Sequence, residues 1–95
     1  MVYKLSVRAA KDLIGIHEYG IRHFGVIQAD QYHNGLEDTF ITLADHPMMA
    51  RERSEFRRPF RLHPYGSHEI AYRVRGRDVL IVRVLHAQQD WLKEL

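Results

Sequence analysis

Arginine and histidine residues inside strand-like runs are the part of this chain best suited to chemistry. Between residues 51 and 83, nine Arg stand against four acidic residues, although the formal net charge of the chain is only +2. A guanidinium inside an apolar strand needs a partner or a task, since charged side chains are rarely buried alone. The basic stretch indicates an anionic partner, either nucleic acid or an acidic protein segment. A solvated Arg-rich face is the simpler alternative.

Seven histidines and no cysteine limit the metal chemistry that the chain can support. Disulfides and thiolate zinc sites are excluded, and the sequence contains no His-x-His or His-x-x-x-His pair. We therefore expect no metal site and no cofactor. His68 and His86 are expected to hydrogen-bond within a sheet or at its rim. His17 is expected to be a satisfied core histidine at a seam between helix and sheet.

Two helices are predicted in the first half of the chain. Ser6 is a residue type that caps helix N-termini, Gly25 fits the end of the first helix, and the second helix should end just before Pro47. Gly15 and Gly20 should let the second helix pack closely, and the short link makes the two an antiparallel hairpin. The apolar stripes are Ala10, Leu13, Ile14, His17, Ile21 and Phe24 in the first helix, and Ala29, Tyr32, Leu36, Phe40 and Leu43 in the second.

The remaining elements are predicted strands. Residues 3–5 fit a short edge strand, and residues 60–63, 68–75 and 79–86 fit a meander with tight turns. The third of these is almost continuously apolar, which indicates a central strand. Residues 48–59 are expected to form an exposed loop or a helical turn.

Length and element order together predict the fold class. The 95 residues support one domain, 1–95, of the α+β class. In this fold an N-terminal strand and an antiparallel helical hairpin pack on a C-terminal three-stranded antiparallel meander. The chain has no signal-peptide core and no apolar run long enough to span a bilayer, so we expect a cytoplasmic protein without a membrane partner.

An ordered series of short motifs runs from Tyr3 to Trp91. It comprises Y-K-L-S with A-x-x-D-L, I-x-E-Y-x-x-x-x-F-G, Q-A-D-Q-Y, G-L with L-A-D-H-P, P-Y-G-S-H-E-I-A-Y-R-V and I-V-R-V-L-H-A-Q-Q-D-W. The series, above all P-Y-G-S-H followed by R-V-L-H and D-W, resembles the ParE branch of the RelE/ParE toxin superfamily.

This resemblance implies the toxin half of a type II toxin–antitoxin pair, a class linked to plasmid stabilisation, held by a ParD-like antitoxin. ParE-like members act on DNA gyrase, whereas RelE-like members cut mRNA in the ribosome. We therefore expect a DNA gyrase inhibitor without direct sequence-specific binding to nucleic acid. A ribosome-dependent mRNA endonuclease and an inactive binding partner with the toxin fold are the alternatives.

The residues available for the endonuclease alternative are Arg61, Arg83 and His86. RNA cleavage needs a base for the 2′-hydroxyl, cations for the phosphate and a donor for the leaving oxygen. The position after His86, often basic in the ribonuclease branch, is Ala87. The last aromatic residue is Trp91, whose indole cannot act as an acid as a phenol can. These departures favour a non-enzymatic toxin.

A structural role is the simpler expectation for Arg83 and for Trp91. Arg83 lies in a buried strand, where pairing with a carboxylate is commoner than catalysis, and Glu69 or Asp90 is the expected partner. Trp91 is expected to pack back onto the core, with a contact to the target as the alternative.

Two contact surfaces follow from the resemblance. The candidates for binding the target are Arg57, Arg58, Arg61, Arg73, Trp91 and Lys93. The antitoxin is expected to bring acidic residues to the Arg-rich face and apolar residues to a groove, the candidates being Leu13, Ile16, Phe40, Arg58 and Arg73. Addition of an antitoxin strand at an exposed sheet edge is a second possible mode.

Overall fold

A computed structural model describes residues 2–54 and 58–89, and its elements follow the predicted order with one addition. They are β1 (Tyr3–Leu5), α1 (Val7–Phe24), α2 (Val26–Asp45), β2 (Glu52–Arg53), β3 (Phe60–Tyr65), β4 (His68–Arg75) and β5 (Asp78–His86). The predicted α+β class is confirmed. Neither α1 nor α2 combines the length and the apolar content that a membrane-spanning helix needs, within the described ranges.

One sheet joins all the strands, in the order β1-β5-β4-β3-β2. The strands β3, β4 and β5 form the predicted antiparallel meander. β1 pairs in parallel with β5, with Tyr3 opposite Val79, so it adds at one edge as predicted. β5 therefore lies between β1 and β4, in the interior position that its apolar sequence predicts.

β3 and β2 both differ from the sequence prediction. β3 continues to Tyr65, which lies opposite His68, so the predicted turn shrinks to Gly66 and Ser67. The short strand β2 forms inside the segment predicted as a loop, where Arg53 lies opposite Phe60. In both places backbone pairing extends the sheet beyond the residues that show strand-like alternation.

The core lies between the helices and one face of the sheet. α2 buries most of its predicted stripe, namely Ala29, Leu36, Phe40 and Leu43. The ring of Tyr3 packs against Phe40 with 5.3 Å between centroids. The sheet completes the cluster with Ile70, Tyr72, Val79, Ile81 and Val84.

The stripe predicted for α1 is only partly correct. Leu13 is buried, but Ile14 and Phe24 are 60% and 59% exposed. The buried face is formed instead by Ala9 and Leu13, with Ile16 packed at the margin of the core. α1 packs on α2, β5 and β1. These elements cover a narrower face of α1 than the predicted apolar stripe.

Ser6 joins β1, α1 and β5 at one point. Its Oγ accepts a hydrogen bond from the backbone N–H of Ala9 at 2.9 Å, so the predicted N-cap is confirmed. The same hydroxyl donates to the carbonyl of Val82 at 2.7 Å, and the Ser6 backbone N–H donates to the carbonyl of Ile81 at 2.9 Å. Because the register between β4 and β5 shifts at Val82, this contact satisfies the backbone of a β-bulge.

Two tyrosines fix α2 to the turn between β3 and β4. The rings of Tyr32 and Tyr65 meet edge to face at 5.1 Å, and the Tyr32 hydroxyl donates to the Tyr65 carbonyl at 3.1 Å. Each phenol also lies against a glycine of the other element. A Cβ on Gly66 would be 2.6 Å from the Tyr32 hydroxyl, and a Cβ on Gly35 would overlap the Tyr65 hydroxyl. Gly66 additionally has a φ of +55°, which favours glycine.

The two glycines inside α1 differ from each other. A Cβ on Gly20 would lie 3.1 Å from the Cβ of Ala29, so this glycine permits the predicted close approach of α2. A Cβ on Gly15 would meet nothing within 4 Å, so the packing role predicted for Gly15 is wrong.

Gly35→Ala is expected to destabilise the protein by about 1–3 kcal/mol, because the added methyl group overlaps the Tyr65 phenol in a packed site. Gly15→Ala is the matched control, and it should stabilise by up to about 1 kcal/mol because helix propensity improves in open space. Urea unfolding of the full chain, followed by circular dichroism, measures both variants. Equal stabilities would contradict this role of Gly35, and Tyr65→Phe in the Gly35→Ala background should restore part of the loss.

Candidate partner-binding surfaces

An open groove of about 720 Å³ lies between the helical hairpin and the ends of β4 and β5. The hairpin supplies most of its apolar lining, and histidines from the helices and strands supply much of its polar lining. A concave surface with this mixture suits the apolar side chains of a partner segment. We call it the hairpin groove, defined by Ile16, His17, Gly20, Ala29, Tyr32, His33, His68 and His86.

A buried ion pair lies at the side of the hairpin groove. Arg83 is 8% exposed, and its Nε and Nη2 donate to Asp12 Oδ2 and Oδ1 at 2.7 and 2.9 Å. Asp12 Oδ2 also accepts the backbone N–H of Val84 at 3.0 Å. The expected structural pairing of Arg83 is present, but the carboxylate comes from α1. Glu69 was the wrong partner because it lies on β4 opposite Leu85, whereas α1 crosses the edge of β5; Asp90 lies outside the described residues.

His68 hydrogen-bonds at the sheet rim, as predicted. Its Nδ1 lies 2.7 Å from the Tyr32 hydroxyl, and its ring meets that of His86 edge-on at 5.7 Å. Burial, with a smaller contribution from His86, lowers the pKa of His68 against the opposing effect of Asp12. Since an unperturbed histidine titrates near about 6.5, His68 is mainly neutral at pH 7. The imidazole therefore serves as a hydrogen-bonding group of the groove wall.

His17 lies between the two helices and not at the predicted seam with the sheet. Its Nε2 is 2.7 Å from Asp30 Oδ1, and its ring meets His33 edge-on at 5.7 Å. His33 Nε2 lies 3.2 Å from Glu37 Oε1. The prediction failed because α1 turns a different face to the core, which leaves His17 to link α1 to α2 at the groove.

A second depression, of about 510 Å³, collects arginines near β3 and β4. The Arg73 guanidinium lies 3.8 Å from the centroid of the Phe60 ring, a cation–π contact. Arg58 and Arg61 line the same depression, together with the carboxylate of Glu52 and the exposed Met48. We call this surface the arginine cleft, defined by Arg58, Phe60, Arg61 and Arg73.

The residues considered for RNA cleavage are not gathered into one site. Arg83 and His86 line the hairpin groove, Arg61 lines the arginine cleft, and the two surfaces share no lining residue among those described. Within residues 2–54 and 58–89, no group of three or more His, Asp or Glu is placed to hold a metal ion.

The groove predicted along Leu13, Ile16 and Phe40 needs correction. Leu13 is 5% exposed and Phe40 is fully buried, so both belong to the core and cannot line an open groove. Ile16 does line the hairpin groove. This prediction was wrong because the apolar stripe of a helix contains residues that pack on the sheet and residues that lie next to it. The sequence pattern does not distinguish the two.

The arginines predicted to contact partners fall partly inside the described chain. Arg58, Arg61 and Arg73 come together in the arginine cleft. Arg57, Trp91 and Lys93 lie outside the described residues, so the predictions for them stay predictions.

Asp12 is the main residue of these surfaces that the sequence analysis did not single out. A signal for it exists, because it lies three residues after Ala9 and four before Ile16, on the side of α1 that faces the core. A carboxylate at that position needs a cation. Assigning the apolar face to Ala10 and Ile14 moved Asp12 to the expected solvent side.

Comparisons with known proteins agree in both sequence and fold. The family model described as the ParE toxin of type II toxin–antitoxin system, parDE, matches residues 3–91. The chain is similar to Toxin ParE1 of Caulobacter vibrioides, with 42% identity over 88 residues, covering 93% of this chain and 91% of that protein. Toxin ParE1 of Mycobacterium tuberculosis is 36% identical over 89 residues, with coverages of 93% and 91%.

A solved structure, the chromosomal ParDE TA system from P. aeruginosa, has a similar fold. The TM-score is 0.77 at 21% identity, and the match covers 93% of this chain and 97% of that one. At this identity the likeness shows the shared fold.

Removing either partner of the Asp12–Arg83 pair is expected to cost about 3–5 kcal/mol of stability, because the remaining charge stays buried without its counterion. The double variant Asp12→Leu/Arg83→Met should be more stable than the sum of the two single losses predicts. Lys4→Ala is the control: it breaks an exposed pair with Asp78, with Lys4 70% exposed, and should cost less than about 1 kcal/mol. Chemical unfolding of the variants measures these differences, and strictly additive losses would contradict the pairing.

Proposed function

The chain belongs to the ParE toxin family of type II toxin–antitoxin systems, and from that premise we propose that it is a non-enzymatic inhibitor of DNA gyrase. In this proposal residues 1–95 form one toxin domain that acts in the cytoplasm. A ParD-like antitoxin neutralises it. The observation that carries the non-enzymatic part is the state of Arg83, whose guanidinium is already committed to Asp12.

RNA cleavage needs a base, a phosphate-binding cation and a proton donor that converge on one phosphate. Asp12 neutralises Arg83, and the Nδ1 of His86 lies 3.2 Å from the Gln88 backbone N–H, where it accepts a hydrogen bond. Arg61 lines the other surface. This arrangement supports a toxin that acts by binding its target and not by cutting RNA.

The proposed antitoxin site is the hairpin groove. Its apolar positions, such as Ile16 and Gly20, offer a concave surface for apolar side chains of an antitoxin segment, while Lys11 at the groove can meet an acidic residue. The solved P. aeruginosa ParDE system, which shares the fold, supports a partner of the ParD kind. The groove takes the role that sequence analysis gave to the surface along Leu13 and Phe40.

Strand addition is the less favoured mode for the antitoxin. The outer strands of the described sheet are short, with three residues in β1 and two in β2, so each offers few backbone groups to an added strand. The hairpin groove instead offers an apolar lining to a partner segment.

The full-length chain, purified and added to DNA gyrase, is expected to inhibit supercoiling and to accumulate cleaved DNA, because the proposal places its action on gyrase itself. His86→Ala should inhibit equally, since no proton transfer by His86 is required. An agarose-gel supercoiling and cleavage assay measures both. No inhibition at stoichiometric excess would contradict the proposal.

Expression without antitoxin separates the alternatives in cells. Translation-dependent mRNA cleavage that is lost in His86→Ala would establish the endonuclease alternative. Unaffected growth would establish an inactive binding partner. Growth arrest with intact mRNA is the outcome that the gyrase proposal requires.

Ile16→Asp is expected to weaken antitoxin binding by about 10- to 1000-fold, because a carboxylate would replace an apolar anchor in the hairpin groove. Ile41→Asp is the matched control, since Ile41 is exposed on α2 and does not line the groove. Titration calorimetry with the antitoxin measures both affinities, and circular dichroism checks that both variants fold. An equal effect of the two substitutions would show that the groove is not the antitoxin site.

A further inference from the structure

The arginine cleft carries an excess of positive charge, because Arg58, Arg61 and Arg73 line it against one described carboxylate, that of Glu52. Carboxylates elsewhere are used in pairs, Asp12 with Arg83 and Asp78 with Lys4. Within residues 2–54 and 58–89, Arg58, Arg73 and Arg75 make no ion pair with any of them. These guanidinium groups remain charged at neutral pH, because arginine is not deprotonated in proteins.

The same cations are close enough to affect one another. Burial is the main cause that lowers the pKa of Arg73, and the charges of Arg58 and Arg75 lower it further. Mutual repulsion of this kind is unfavourable in the free protein, and a bound anion would relieve it. The cluster is therefore suited to an anionic ligand.

Two of the guanidinium groups are already held in place. Arg73 stacks on Phe60, and its Nε donates to the Pro59 carbonyl at 3.3 Å, while its Nη atoms make no hydrogen bond within the described residues. Arg61 Nη1 donates to the Ala50 carbonyl at 2.6 Å. A fixed guanidinium loses little side-chain entropy on binding and keeps its remaining donors available for a phosphate.

We propose that the arginine cleft, together with Arg75, binds the sugar–phosphate backbone of double-stranded DNA. The toxin would then contact the DNA held by its target as well as the target protein. This inference rests on the proposed function, because the DNA concerned is the DNA held by gyrase. It adds DNA as a ligand of the toxin, bound without sequence specificity. Backbone contacts position a protein on DNA without reading the bases.

A polyanion fits the cleft better than an acidic protein segment does. The aromatic rings there are covered, since Phe60 and Tyr72 are buried, and Met48 is an exposed apolar side chain of the lining. Three arginines line the cleft against this one exposed large apolar side chain, so binding is expected to come chiefly from charge and hydrogen bonds. Duplex DNA supplies about one charge per 1.7 Å of helix axis, so several arginines can each meet a phosphate.

The test measures binding of the full-length toxin to a short fluorescent double-stranded DNA by anisotropy, over a series of salt concentrations. Arg58→Gln and Arg75→Gln remove exposed side chains and should leave the fold intact. Each is expected to weaken binding and to reduce the slope of log affinity against log salt by about 1. Arg22→Gln is the matched control, because it makes the same charge change in the last turn of α1, and it should leave the slope unchanged.

The outcomes separate this inference from the proposed function. Equal losses in Arg22→Gln and in the cleft variants would show a general effect of net charge and overturn the inference, as would the absence of DNA binding at low salt. Cleft variants that bind DNA normally but lose antitoxin affinity would assign the cleft to the antitoxin instead. Because the anisotropy assay contains no gyrase, failure here leaves gyrase inhibition standing, and failed inhibition with intact DNA binding rejects the proposed function alone.

Discussion

The rest of the structure depends on how side chains of α1 and its cap close one edge of β5. β5 has nine residues and β1 only three, so part of that edge has no strand beside it. A buried backbone group left without a partner costs about 1–3 kcal/mol. Ser6 satisfies the carbonyl of Val82, and Asp12 satisfies the N–H of Val84. Side chains six residues apart thus replace a missing strand.

This closure also fixes which face of α1 is buried. With Asp12 turned to Val84 and Arg83, the neighbouring Ala9 and Leu13 enter the core, and Ile14 must point outward. The C-terminal half of α1 then stands beside the ends of β4 and β5, which leaves the hairpin groove open. The single carboxylate of Asp12 therefore has three effects. It accepts a hydrogen bond from the bulged strand, it neutralises the buried Arg83, and it fixes the face of α1 that borders the hairpin groove.

The elements with strong local signals could be predicted from sequence, whereas the contacts between them could not. Ser6, Gly25 and Pro47 mark the helix limits by their own chemistry, and the apolar run of β5 marks an interior strand. β2 could not be predicted because two residues show no alternation, and their pairing depends on β3. The turn residues Pro64, Gly66 and Ser67 predicted the turn between β3 and β4. Only the structure shows that Tyr65 packs against Gly35, thirty positions earlier in the chain. The same limit explains the misplaced face of α1 and the wrong partner for Arg83.

The two surfaces differ in how their interactions should respond to salt. In the hairpin groove the buried cation, Arg83, is cancelled by Asp12, so an antitoxin bound there would gain affinity chiefly from apolar burial, which salt does not screen. In the arginine cleft, Arg58 and Arg73 make no ion pair within the described residues and Glu52 is the one described carboxylate of the lining, so the proposed contacts with phosphates would weaken as salt rises. Because the surfaces share no lining residue among those that the structure describes, an antitoxin in the groove would leave the positive charge of the cleft in place. Under these two proposals, an antitoxin in the groove would neutralise the toxin by blocking contact with the target protein, and the proposed attraction to DNA would remain.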